Sequence, residues 1–179
     1  FEARVVDEKG YGDCKALSNY TRALLKIVGI KSHYTLVYAG KNKEHIDEDF
    51  PNNYFNHVIL CVPNHGDTLW LECTSQTIPM GYIGKASSDR PALIITKNGG
   101  KIVKTPTYSG KDNAIGMTGN ILLDKGGNAL AQVQESFHGG AVDKDGLRYH
   151  IHLDNDKQEK WLRNHLDVAS YDIKKYDFC

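Results

Sequence analysis

A chain of 179 residues and 20.0 kDa is long enough for one ordinary domain or two small ones, and its 40% apolar share can furnish a core. Twenty-two basic residues against 22 acidic ones leave zero formal charge, which removes the electrostatic footprint of a nucleic-acid or anionic-membrane binder. No run approaches the roughly 20 apolar residues of a membrane helix, and the opening segment lacks the basic-then-apolar layout of a signal peptide, so no membrane span is expected.

From Asp13 onward Leu17, Tyr20, Leu24, Leu25 and Val28 recur at helical spacing, with Gly29 where a helix C-terminus favours positive φ; this predicts a helix over about 14–28. Ser32 to Ala39, rich in Tyr, Val, Thr and Leu, reads as a strand. The polar stretch Gly40 to Asn53 then sits at the long end of ordinary connections, a candidate rim for a site. Phe55 to Val62 and Thr68 to Thr74 flank a Pro-Asn-His-Gly-Asp turn and predict an antiparallel hairpin. Ala92 to Thr96 and Lys101 to Thr105 flank Asn98-Gly99-Gly100 and predict another.

Beyond Pro106 the composition turns small and polar from Tyr108 to Asn120, which marks a linker and a boundary near residue 108 between a first unit, 1–108, and a second, 109–179. Ile121 to Leu123 and Ala129 to Val133 predict a further hairpin, and Asn155 to Leu166 a short amphipathic helix with Trp161, Leu162 and Leu166 inward. The expected fold class is α+β: one helix packed on an antiparallel sheet, followed by a small β-rich module.

Three residues carry potential chemistry. Cys14 follows Asp13 at the start of the first helix, where the cap and the positive end of the helix dipole favour a thiolate. It also lies on the stripe of Leu17, so its sulfur is expected to face the sheet. His57 and Glu72 lie on the two strands of the first hairpin. A turn centred between Asn64 and His65 sets them directly opposite, whereas pairing Pro63 with Thr68 makes them diagonal neighbours; both registers keep them on one face. A carboxylate beside an imidazole fixes its tautomer and stabilises the imidazolium formed when it takes a proton. The same parity puts Cys61 on the His57 face and Cys73 on the other, so a disulfide between them is not expected. Four cysteines without a CxxC pair also argue against a zinc cluster, and Cys179 has no visible partner.

Gly12-Asp13-Cys14 opening a helix that ends in Val28-Gly29-Ile30, then Tyr34-Thr35-Leu36-Val37-Tyr38, then Phe55-Asn56-His57-Val58 and Trp70-Leu71-Glu72-Cys73-Thr74, resembles the transglutaminase-like superfamily, over about residues 10 to 106. The stretch from Phe50-Pro51 to Asp89-Arg90-Pro91-Ala92-Leu93 is similar to a bacterial branch, frequent in Bacteroidetes, whose core lies between β-rich domains. The resemblance implies a papain-like core with Cys14 as nucleophile, His57 as general base and Glu72 as the acid that orients the histidine. It implies cysteine-dependent acyl transfer or hydrolysis at a carboxamide or peptide bond, as in a transglutaminase-like protease or amidase, with a protein or peptide substrate and no metal or organic cofactor. It further implies flanking domains in a longer parent chain and a periplasmic or extracellular location; the residues themselves leave the compartment open.

The chain departs from the family pattern at two places. The acidic residue is Asp in most of the superfamily and Glu here. Upstream of Cys14 there is no Trp or Gln to serve as an oxyanion donor, and the family's preceding helix is expected to be missing or truncated. The missing upstream donor and the short N-terminus motivate the rival expectation, a catalytically inactive binding module for protein or cell-wall peptide. Two weaker candidates are a His150/His152 metal pair, which needs an extended backbone, and a cation site at His45, Asp47, Glu48 and Asp49, for which a solvated loop is the plainer expectation. Tyr34, Tyr38, Tyr82 and Trp70 read as packing residues.

Overall fold

The structure, a computed structural model, describes residues 2–42, 46–47, 50 and 53–178, with 143–145 by backbone only. The described chain divides into two compact units, Phe1–Ser109 and Gly110–Cys179. None of its helices is long and apolar enough to cross a membrane.

The first unit is α+β. Helix α1 (Ala3–Lys9) ends at Gly10, whose φ of 68° suits glycine, and buries Val6. It occupies the segment where the sequence suggested a missing or truncated helix; a hydrogen bond from Tyr20 Oη to Asp7 (2.6 Å) ties it to α2 (Cys14–Ile27). Strands β1 (His33–Val37), β2 (His57–Asn64), β3 (Asp67–Leu71), β4 (Pro91–Thr96) and β5 (Gly99–Lys104) form one antiparallel sheet in the order β3-β2-β1-β4-β5. A short helix α3 (Gly84–Ser87) precedes β4.

Strand alternation places Val37, Ile59, Cys61, Trp70, Ala92 and Ile94 on one face, where they close a core with Ile83 and the ring of Tyr108. Tyr108, expected to open a linker, instead belongs to this core. Its hydroxyl accepts from Ile83 N at 3.0 Å, and its ring packs against Tyr82 at 4.6 Å. Trp70 and Tyr82 are buried, as expected of packing residues.

The segment leaving β1 is held by one buried cation. The Arg90 guanidinium donates to four backbone carbonyls: Tyr38 O at 2.5 Å, Gly40 O at 3.0 Å, Asn42 O at 3.1 Å and Ser88 O at 3.2 Å. Only its planar fork offers donors in that spread. Asn56, just before β2, clamps Ala39 by accepting from its N–H (2.7 Å) and donating to its carbonyl (2.8 Å).

The second unit is a two-stranded ribbon, β6 (Ile115–Leu123) and β7 (Ala129–Phe137), followed by a 3₁₀ helix (Gly139–Gly146) and helices α4 (Leu147–His150) and α5 (Asn155–His165). The β-rich expectation thus holds for the hairpin only. Strand β6 begins at Ile115, inside the stretch read as a linker, where Gly116, Thr118 and Asn120 alternate with Ile115, Met117 and Ile121. Helix α5 is capped by Asp154, which accepts from Lys157 N at 3.0 Å, and buries Trp161.

Replacing Arg90 by Met should leave these carbonyls without their donor and destabilise the chain by about 2–4 kcal/mol in urea unfolding. Arg90→Lys, with three donors at a point, should recover only part of the loss. A Met variant within about 0.5 kcal/mol of wild type would show that the clamp contributes nothing.

Candidate active site

The chain enters α2 through a tight turn. A Cβ at Gly12 would come within 2.8 Å of the Ala16 Cβ, so glycine alone fits without displacing the helix. Asp13 caps the helix with extended backbone and a side-chain oxygen that accepts from Ala16 N at 2.8 Å. Cys14 is therefore the first helical residue, half-buried, beside the unpaired amides of the first turn. Burial is the main cause that pushes the Tyr34 phenol on β1 upward, with smaller contributions from Cys14 and Asp13.

One turn along from Cys14, Ser18 is fully buried and donates to Val58 O at 3.2 Å. The β2–β3 ladder ends at Leu60–Leu71, so Ser18 engages β2 beyond the last residue that β3 pairs. Cys73 lies against the same helix. Its thiol is pushed up by burial, hydrogen bonding to Thr21 and Ser18 draws it back in part, and the charge of Glu72 raises it further. Cys61 sits in the core, its thiol likewise pushed up by burial, and Cys14, Cys61 and Cys73 are all free.

His57 and Glu72 meet. The hairpin turns on His65-Gly66 and pairs Pro63 with Thr68, the register that makes the two residues diagonal neighbours rather than direct opposites. His57 Nε2 lies 2.8 Å from Glu72 Oε2, with the side chains 17% and 7% exposed. The second carboxylate oxygen accepts from Thr74 N at 3.0 Å and Thr74 Oγ1 at 2.6 Å. Burial acts to raise the Glu72 carboxyl, but the hydrogen bonds from His57 and Thr74 and the histidine's charge outweigh it and hold the group below the usual carboxylate range. An ionised Glu72 accepts only, so Nε2 carries the proton and Nδ1 is left as the basic nitrogen.

The structure thus joins His57 to Glu72, and among the described residues no hydrogen bond joins Cys14 to either. Thr74, Ser18 and Asn56 are the supporting residues that the motif reading did not single out as such. Thr74, two positions past the acid, is the one with a local signal. His150 and His152 fall in α4 and the turn after it rather than in extended chain. His150 Nδ1 lies 2.8 Å from Gly146 O, and its ring stacks on Trp161. No group of three metal-ligating side chains gathers among the described residues. His45, Glu48, Asp49 and Cys179 lie outside them. Comparison with protein-family models, curated proteins and solved structures finds no match for this chain.

A carboxyl held below its unfolded value of 4.5 stabilises the fold above that pH, and the contribution disappears as pH falls through the lower folded value. Glu72→Gln should lower stability at pH 7 by about 1–3 kcal/mol and flatten its decline below about pH 4.5. Urea titrations of both proteins at pH 7 and pH 3 check this, and parallel acid losses would show that the Glu72 charge is not held by its partners.

Proposed function

We propose that this chain catalyses cysteine-dependent acyl transfer or hydrolysis at a carboxamide or peptide bond, in the manner of transglutaminase-like enzymes. The observation that carries the reading is the largely buried His57–Glu72 hydrogen bond, which presents a basic Nδ1 from an imidazole whose tautomer is set. The capped helix start at Cys14, one turn from the Ser18 contact with β2, supports it.

In this reading the Cys14 proton passes to His57 Nδ1 and the sulfur attacks the carbonyl carbon, forming a C–S bond. The imidazolium, stabilised by Glu72, returns the proton to the departing amine as the C–N bond breaks. Water or an amine then resolves the thioester, regenerating the thiol. Developing negative charge on the carbonyl oxygen would meet the first-turn amides of α2. The substrate class is a protein or peptide, and no step draws on a metal or organic cofactor.

A second reading, a binding module for protein or cell-wall peptide that keeps the fold without turnover, is favoured by the lack of a hydrogen bond between Cys14 and His57 among the described residues. Incubation with a peptide mixture rich in Gln and Asn separates the two, with released ammonia, new amino termini and amine incorporation measured together. Turnover should vanish in Cys14→Ala and fall by about 10²–10⁴-fold in His57→Ala. Iodoacetamide should label Cys14 before Cys61 and Cys73, and His57→Ala should slow that labelling. Absence of all three products, with equal Cys14 labelling in wild type and His57→Ala, would leave the binding module.

A further inference from the structure

The ribbon β6–β7 is paired from Ile115–Phe137 to Leu123–Ala129, and no third strand joins it among the described residues. Alternation sorts its side chains by face. One face carries Thr118 and Asn120 opposite Gln134 and Gln132, with the exposed pair Leu122 and Leu130 toward the turn. The other is apolar along its length. Met117, Ile121 and Leu123 stand 68%, 68% and 72% exposed, with Ile115 and Val133 at 45% and 48%. Together they present a patch of about 500 Å², the size at which a monomer's largest patch is often functional. The one ionisable side chain on that face, Glu135, is taken up by His165 of α5 at 3.1 Å.

The face also has relief. Ile121 lies opposite Ala131 and Leu123 opposite Ala129, so large residues form a ridge on β6 and alanines a trough on β7. Sheets that pack face to face sit about 10 Å apart with their side chains interdigitated. A twofold axis would lay the ridge of one ribbon in the trough of another and do the same in return, which makes the surface self-complementary.

We propose that this face is a homodimer interface, with two copies packed ribbon on ribbon and the Ile121–Leu123 ridge of each in the Ala129–Ala131 trough of the other. Three observations favour a second copy of this chain as the occupant. The face leaves no unpaired charge to select a charged partner. The zero formal charge of the chain removes long-range repulsion between copies. Two patches cover about 1,000 Å² of apolar surface, which reaches the range of specific interfaces once their rims are added. The contact is isologous and closes at two copies.

Sedimentation velocity of the full chain, from about 1 to about 200 µM, tests this, with circular dichroism as the folding control. A monomer–dimer equilibrium with a midpoint in the tens of micromolar is expected. Ile121→Lys should weaken it at least about tenfold, whereas Gln132→Lys on the polar face should leave it unchanged. Ala131→Leu is the sharper variant. It adds apolar surface but fills the trough, so the specific dimer should weaken while indiscriminate adhesion would strengthen. A chain monomeric at about 200 µM, a tighter Ala131→Leu dimer, or growth beyond two copies would each overturn the proposal.

Discussion

The pairing of Pro63 with Thr68 across the His65-Gly66 turn is the constraint on which the candidate site depends. Both turn residues take positive φ, 44° and 92°, the left-handed pair that matches the twist of a two-residue hairpin. That register puts Cys61 opposite Trp70, so both enter the core, and it ends the ladder at Leu60–Leu71. A slip of one residue would turn Trp70 out of the core and carry Glu72 to the face away from His57. Burial of the tryptophan and formation of the His57–Glu72 bond are therefore one selection. Pro63 fits this arrangement because β1 pairs with β2 only as far as Cys61, so the missing N–H of Pro63 costs no bond to β1.

A second constraint acts from the opposite side of His57. The long polar connection would be free to move the start of β2 if its first residues were loose. Arg90 gathers three of its carbonyls, and Asn56, next to His57, closes a two-point bond with Ala39. Among the described residues the Arg90 guanidinium bonds carbonyls alone, and each carbonyl gains a charge-assisted donor. Rigidity at Ala39 is thus passed directly to the residue before the imidazole. A site that must hold its geometry within fractions of an ångström needs such support behind it.

What was legible in the sequence follows the range of the interactions involved. The start of α2 could be read because its determinants, Asp13 and the periodic Leu17 to Val28, are local. Asn98-Gly99-Gly100 signalled the β4–β5 hairpin, although the turn falls on Lys97-Asn98 and both glycines open β5. The His57–Glu72 face survived an ambiguous register because parity, not register, assigns the face. Other features lay beyond local reading. Helix α1 is short and depends on Val6 burial and the Tyr20–Asp7 bond. The first half of β6 has the composition of a linker, and only its partner strand makes it regular. Arg90 reaches residues 48 to 52 positions away, a distance no motif encodes.

The glutamate at position 72 has a physical reason in this fold. Its two oxygens do separate work: one takes the Thr74 amide and hydroxyl, stopping the chain just past the end of β3, and the other reaches His57. Because the register makes the pair diagonal, the carboxylate must span a longer path than between residues directly opposite. The additional methylene of glutamate supplies that reach while the backbone stays tied through Thr74. An aspartate at the same position could hold the Thr74 amide or approach His57, but the shorter side chain would have to draw the strand end toward the histidine to do both. The choice of acid and the choice of register are thereby coupled. With this two-residue turn the longer carboxylate reaches both partners, and it is accommodated because β3 stops one residue before it.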